Sequence, residues 1–401
     1  MYLLLGRFNK LFTAYCEAHQ IPYYIINDLK SQSSFGQSVD FADKKALYAA
    51  IDALPVAPTC VFTMYEQYIP IAADVNAYLG LTHALSPEAA RKSTDKILMR
   101  QAFATAQAPI SPAFTLAETW EDVRAFAEKY KFPLILKPAN LSKSLLITRC
   151  DSMNELLAAW EQTSREAPAL YERFTDGLTP RFILEQFMPG SVHTVMGFVD
   201  KDGTIALADG IVDNVTAEEA GFHDSFIFSR TLPSGLPVAD QEALLACARL
   251  GMETLGLRSC AAHIELVRTA NGPRLIEIGA RVGGYRTVMY NQASGIDVVG
   301  ACLQVYNGTL PDLTPRKHAF YRAIEIFPEH KGTFAQAENF EIAQKLPSIL
   351  SARIMREIGE TIGKAAEGFK AAIVLELANE SETQIAEDYE YIRKNVRVVV
   401  R

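Results

Sequence analysis

The sequence predicts a protein of mixed class, α/β at its N-terminal end and α+β beyond it, on three observations. Residues 1–85 alternate short apolar runs with amphipathic stretches, the pattern of a small parallel sheet with helices on its faces. Proline and glycine punctuation sets off an α+β insert of about 75 residues that mixes helices with strands. A chain of 401 residues also exceeds what one hydrophobic core serves, so two or three domains with clefts between them are expected.

In chain order, strands are expected at 2–5, 22–27 and 59–63, with helices at 8–19, 44–54 and 71–79. The first turn, Gly6-Arg7-Phe8-Asn9, lacks the G-x-G-x-x-G of a dinucleotide site, so this half reads as scaffold. Ser86-Pro87-Glu88 places an N-cap serine before a first-turn proline; that helix breaks near Lys92-Ser93 and resumes over 95–100. After Ala108-Pro109-Ile110-Ser111-Pro112 come a helix at 120–130, a buried strand at 132–138, a helix at 153–164 and a strand at 182–187 closed by Met188-Pro189-Gly190. Strands follow at 194–199 and 205–212, then a polar loop over 213–225 and an amphipathic helix at 240–255. Two more strands, 261–268 and 273–278, lead into Gly279-Ala280-Arg281-Val282-Gly283-Gly284, and the tail carries strands at 321–327 and 371–377. Domains are therefore expected at 1–90, at 91–314 with a lobe over 113–188, and at 315–401 as an extension packing on the core.

Composition excludes several classes. With 49% hydrophobic and 21% charged residues the chain is neither disordered nor low in complexity. Its net charge of −8 speaks against nucleic acid as a partner. Six scattered cysteines without a C-x-x-C pair fit buried thiols in a reducing compartment, and the seven histidines form no H-E-x-x-H or H-x-H pattern. The opening apolar run ends at Gly6-Arg7, short of a signal or spanning segment, so a cytoplasmic location without membrane contact is expected.

The hairpin 262–278 holds the strongest chemical signal. A strand places His263 and Glu265 on one face, and Glu277 points away from its isoleucine neighbours. A register symmetric about Asn271 sets Glu265 opposite Glu277, with Cβ atoms only ~4.5–5.5 Å apart. Opposed carboxylates repel, and either a divalent cation, Mg²⁺ by preference, or plain solvent exposure resolves the conflict. Lys137 ends a buried strand before a small-residue loop that either wraps phosphate or merely joins two strands. Glu185-Gln186-Phe187 either presents backbone groups and a carboxylate to an adenine-ribose or is a plain strand edge, and Lys96 and Arg100, one helical turn apart, equally suit a solvated face.

Taken in order, Lys96 in Asp-Lys-x-x-x-Arg, Lys137-Pro138, Glu185-Gln186-Phe187-Met-Pro-Gly190, Glu265 and Leu275-Ile-Glu277-Ile-Gly-Ala-Arg281 form a series that resembles the ATP-grasp superfamily. More narrowly it is similar to the carboxylate–amine ligase branch, which includes bacterial L-amino-acid ligases and is related to biotin carboxylase. The resemblance implies an ATP-grasp fold with a Rossmann-like N-terminal domain, a lid subdomain and a catalytic sheet. It implies ATP and Mg²⁺, with Mn²⁺ as the alternative ion, small carboxylate and amine substrates, and a homodimer. Carried over by residue, it gives Lys96 and Lys137 to the nucleotide phosphates, Ser142 and Ser144 to the lid loop over them, and Glu185, Gln186 and Phe187 to the adenine hinge. Glu265 and Glu277 become the metal ligands, and Arg281 steadies the transferred phosphoryl group. The implied reaction is phosphorylation of a carboxylate followed by displacement of phosphate by an amine, with carboxylation of the biotin-carboxylase or purine-pathway type, or ATP binding without catalysis, as the alternatives.

Three departures stand out. Gly279 occupies a position where the family usually has asparagine. Leu141, Ser142 and Lys143 replace lid glycines, and Ser191-Val192-His193 stands where an acid is common, which makes His193 either a ribose or phosphate contact or a satisfied strand residue. For the substrates, His223 in the polar loop and Arg230 after it, with Gly283 and Gly284 beside the reaction centre, are the candidates; Arg230 suits either a substrate carboxylate or a surface ion pair.

Overall fold

Parallel strands at the N-terminus, an antiparallel lobe and one long antiparallel sheet divide the work of the chain. This computed structural model describes residues 1–401 apart from 32, 34, 142–144, 176, 177 and 225 and the side chain of 174. The first sheet is parallel, in the spatial order Gln37–Val39, Tyr23–Asp28, Tyr2–Gly6, Cys60–Phe62. Asn9 caps the helix Lys10–Ala18 by accepting from Phe12 N–H, and Asp43 caps Lys44–Asp52 in the same way. Strand Gln37–Val39 was invisible to pattern reading because it is three residues long and two of them are exposed and polar.

In the lobe, strands Phe114–Ala117, Phe182–Gln186, Leu134–Pro138 and Thr148–Cys150 pair antiparallel in that order. The helix expected to stop at 164 runs from Met153 to Phe174, through Pro168. Proline forfeits one intrahelical hydrogen bond. Even so, Leu156, Ala159, Thr163, Ala167 and Tyr171 keep one buried stripe against the lobe's sheet on both sides of it. The Tyr171 hydroxyl donates to the Arg181 carbonyl at 3.2 Å and accepts from Asn140 N–H at 3.4 Å, tying this helix to the loop after Lys137.

The main sheet has nine strands. Its long path runs Gly272–Gly279, Cys260–Thr269, Ser191–Val199, Val212–Thr216, Ile227–Leu232, Phe320–Ile326, Ile373–Asn379, Ile349–Ile354, and Ile205–Leu207 pairs with Ser191–Val199 off that path. The single strand expected at 205–212 is split by a turn at Gly210, whose φ of +86° suits glycine, and the second strand, Val212–Thr216, takes in residues 213–216 of the expected polar loop. Residues after 314 do more than pack on the core. Phe320–Ile326 pairs with Ile227–Leu232, so the tail continues the same sheet, a pairing that no local pattern reveals. All six cysteines are free and buried, and among the described residues no helix is long and apolar enough to cross a membrane.

Candidate active site

The hairpin brings Glu265 and Glu277 into direct register, by a route the symmetric reading missed. Thr269 pairs with Gly272 and Leu266 with Leu275, a turn one residue tighter than expected; a bulge then restores the pairing at Glu265 and Glu277. The bulge has a second use. The Ile276 carbonyl accepts from Arg100 Nη2 at 2.7 Å, which pins the hairpin to the helix Lys96–Phe103.

That helix is capped by Asp95, whose carboxylate takes Ile97 N–H and Leu98 N–H and also pairs with Arg181 at 2.8 Å. Lys96 is 5% exposed; its Nζ donates to the Leu141 carbonyl at 3.1 Å and pairs with Glu277 at 3.2 Å. Burial opposes its charge, but Glu277 and Glu66 outweigh burial and raise its pKa.

Arg100, one turn on, faces no solvent at all. Its Nε donates to Glu185 at 2.8 Å, and Lys137 Nζ pairs with the other oxygen of Glu185 at 2.7 Å. Burial pushes Glu185 up, yet Arg100 and then Lys137 hold it down at about 2. Burial is also the main influence on Lys137; with the like charges of Arg100 and Lys96 it overrides the pull of Glu185 and brings the ammonium down to about 8. Two expectations change here. Lys96 and Arg100 are no solvated face, and the Glu185 carboxylate, 3% exposed, is committed to positioning Lys137 rather than free for a ribose.

The hinge is correspondingly narrower in what it offers. Gln186 N–H donates to the Ala113 carbonyl and Phe187 N–H to the Pro133 carbonyl, so neither amide is free for adenine. The Phe187 ring lies 4.5 Å beneath Arg149. His193 is satisfied at both ring nitrogens, by Asp213 at 2.8 Å and Ser191 at 2.7 Å, and is 2% exposed; it holds strands together and has no nitrogen left for a nucleotide. Ser142 and Ser144 lie outside the described residues.

Arg281 pairs with a residue that pattern reading overlooked, Glu66, from the short helical turn Glu66–Tyr68 beyond strand Cys60–Phe62. A carboxylate just past the carboxyl end of a parallel strand is the signal that points to it, because α/β sheets bind ligands there. Glu66 explains Gly279 as well: a Cβ at 279 would come within 3.1 Å of both Glu66 oxygens. Beyond Arg281 neither oxygen has a hydrogen-bond partner among the described residues, and burial raises the Glu66 pKa against the lowering pull of Arg281.

On the other strand of the hairpin, His263 Nε2 donates to Glu265 at 3.1 Å. Burial drives the imidazole down to about 4, so it is neutral, and its Nδ1 is unpartnered. Gly283 makes room for it, since a Cβ there would lie 2.4 Å from Nδ1; beside Gly284 there is open space. Arg230 is paired to Glu325 at 3.2 Å, and Tyr285 donates to the other oxygen of Glu325 at 2.7 Å. Of the two readings of Arg230, a substrate carboxylate or an ion pair, the structure shows the ion pair. His223 lies apart from this group, in the wall of a cavity of about 270 Å³ with Phe222, Phe226, Phe327 and His330.

Glu265 and Glu277 keep 42% and 26% of their side chains exposed, against 3% for Glu185, so they are open to a ligand. Two adjacent carboxylates suit an oxygen-loving divalent cation that completes its shell with phosphate oxygens and water. Among the described residues no third metal-binding side chain joins them.

These features define a class. Residues 130–289 match the ATP-grasp domain family, and the chain has the ATP-grasp fold. An L-amino acid ligase from Bacillus licheniformis superposes with a TM-score of 0.81 at 18% identity, over 100% of this chain and 98% of that one. Among curated proteins the chain is similar to the alanine–anticapsin ligase of Bacillus subtilis (strain 168), 27% identical over 67% of this chain and 59% of that protein. The D-alanine–D-alanine ligase of Azoarcus sp. (strain BH72) is 26% identical over 49% of this chain and 62% of that protein. The chain thus spans about six tenths of the length of these two relatives.

Proposed function

We propose that the protein is an ATP-dependent carboxylate–amine ligase that joins an amino acid to an amine through an acyl phosphate. The observation that carries this reading is a line of alternating charges, buried at one end and partly open at the other: Lys137 with Glu185 and Arg100, Lys96 with Glu277, and Arg281 with Glu66. Such a line is built to neutralise and position a triphosphate and a second anion, which is most of what phosphoryl transfer asks of a protein.

Lys96 and Lys137 hold the phosphates, and Arg281 takes the charge that develops on the transferred phosphoryl oxygens. Glu265 and Glu277 would hold Mg²⁺, which when bound shields the phosphate charge. The donor carboxylate oxygen attacks the γ-phosphorus and ADP leaves; the amine nitrogen then attacks the acyl carbon, phosphate departs with the carbon–oxygen electron pair, and the amine proton passes to solvent. Glu66, whose carboxylate oxygens are buried with Arg281 as their one partner among the described residues, suits the ammonium of a donor amino acid. Relatives named as ligases of alanine and D-alanine support that donor class.

Hydroxylamine intercepts acyl phosphates, so amino acids incubated with Mg-ATP and hydroxylamine should give hydroxamate and ADP in equal amounts. ADP formation that needs bicarbonate, or ATP binding with no turnover across all twenty amino acids, would overturn the reading.

A further inference from the structure

The cavity of about 270 Å³ that has His223 in its wall belongs to no part of the charged line. Phe228 and Ile326 line it and are buried, and Phe222, Phe226 and Phe327 stand half-buried around it. The rings come in two tilted pairs, Phe222 with Phe228 at 5.1 Å and Phe226 with Phe327 at 4.4 Å. Half-buried phenylalanines around an open space leave apolar area in water, at about 25 cal/mol per Å². An apolar ligand removes that cost. Since an apolar cavity of about 150 Å³ takes up benzene, this one has room for a benzyl or indolylmethyl group.

The walls are held in place by polar contacts. Phe222 N–H donates to the Ala217 carbonyl and Ala217 N–H to the Phe226 carbonyl, both at 2.8 Å, so the loop closes on itself. A segment of the tail is tied to that loop. Asp224 accepts from Ala365 N–H at 2.8 Å and Ala366 N–H at 3.1 Å, and Lys364 Nζ donates to the His223 carbonyl at 3.0 Å.

Two contacts link the cavity to the candidate active site. Strands Ile227–Leu232 and Phe320–Ile326 pair side by side and bring Arg230 to Glu325, which also receives Tyr285, the residue after the Gly283-Gly284 turn. At 3.3 Å per residue, Phe327 lies ~7 Å beyond Glu325 along the chain. From the other direction, the tail segment reaches the loop after Lys137, because a Cβ on Gly368 would stand 3.4 Å from Leu145 Cδ2. The cavity thus adjoins both the group that flanks the glycine turn and the loop that follows a phosphate lysine.

We propose that this cavity receives the aromatic side chain of a substrate amino acid, so that the enzyme selects a phenylalanine- or tryptophan-like substrate over alanine. The proposal rests on the ligase reading above. Donor and acceptor present the same ring chemistry, and the two arms of the test separate them.

The test uses the full-length enzyme with Mg-ATP. In the donor arm hydroxylamine replaces the amine, and hydroxamate is read for alanine, leucine, phenylalanine and tryptophan. In the acceptor arm the donor is fixed, and dipeptide is read with the same four as acceptors. One arm should show higher kcat/KM for the aromatic substrates. Phe222→Trp, which fills the cavity, should cut that preference about ten- to a hundredfold while KM for ATP holds. Should that variant fail to fold, His223→Trp, at an exposed position of the same wall, decides the matter by the same ratio. No aromatic preference in either arm, or a preference untouched by the filling variant, would overturn the proposal. Indole alone reads the cavity without turnover: it should raise Tm of the wild type and not of Phe222→Trp. With hydroxamate formed but no indole shift, the pocket falls and the ligase reading stands; with the shift but no product from any amino acid, the ligase reading falls instead.

Discussion

The two ends of the charged line differ in how completely they are satisfied. At the end proposed for the nucleotide, Lys137, Glu185 and Arg100 are joined by bonds of 2.7–2.8 Å and Lys96 is shared between a carbonyl and Glu277, while Nη1 of Arg100 is buried without a hydrogen bond. At the end proposed for the substrates, the Glu66 oxygens have no partner beyond the Arg281 ion pair among the described residues, and Nδ1 of His263 and Nε of Arg286 are buried without a hydrogen bond. A satisfied buried network is rigid and preformed, while buried polar atoms left idle are held by the fold at a cost that a ligand removes. On the proposed function, the difference means that triphosphate geometry would be largely set before ATP arrives, whereas the amino-acid side would be completed by its ligands.

The largest break in this comparison comes at the closed end. Arg100→Leu leaves Glu185 buried against Lys137 alone and frees the Ile276 carbonyl, so unfolding stability should drop by about 3–5 kcal/mol. Thermal or urea denaturation reads this directly, and a variant as stable as wild type would mean that the pair is not buried in solution. Glu277→Gln comes next. Removing one of the two carboxylates while keeping shape should lower kcat about a hundred- to a thousandfold with the folded state retained, checked by ADP release and circular dichroism. Unchanged turnover would remove Glu277 from the ion site.

At the open end the expected effects fall on one substrate. Glu66→Gln should raise KM for the donor amino acid about ten- to a hundredfold and leave KM for ATP alone. Equal loss for both substrates would mean that Glu66 serves Arg281 and the phosphates instead.

What could be read from sequence follows the same division. Lys96, Lys137, Glu265 and Glu277 announce themselves locally, through an Asp cap, a strand end and the two-residue alternation of a hairpin. Arg100 did not, because helical spacing says which side chains share a face but not whether that face meets water. The bulge at Ile276 was equally hidden, since register depends on the partner strand. Glu66 and Arg286 escaped for a third reason. One comes from a different sheet and the other follows a glycine-rich turn, and only the folded chain brings both to Arg281 and Glu265.

Lys137 gives the comparison a pH axis. Its ammonium titrates at about 8 in the folded protein against 10.5 for a free lysine. Above pH 8 the free enzyme loses this charge, and a triphosphate must restore the proton in order to bind, so KM for ATP should climb as pH rises from 8 to 9. Stability moves the other way in that window: the unfolded chain holds more protons there, so this lysine adds stability as pH increases. Lys137→Arg, which keeps its charge, should flatten the ATP profile between pH 8 and 9. An identical profile in the variant would place the titration elsewhere.

The smallest effect separates a structural histidine from a ligand. His193 stands where the resemblance to ATP-grasp ligases raised a nucleotide contact, but its two nitrogens bind Asp213 and Ser191. His193→Phe keeps the ring's bulk and removes both hydrogen bonds, leaving Asp213 with Ser234 at 2.6 Å and Gly235 N–H at 2.9 Å. Because Asp213 retains two partners, the loss should be about 1–3 kcal/mol of stability. KM for ATP should not change, because no atom of the ring is free to meet the nucleotide. A tenfold rise in KM for ATP at unchanged stability would restore His193 to the site and show that the strand contact gives way when nucleotide binds.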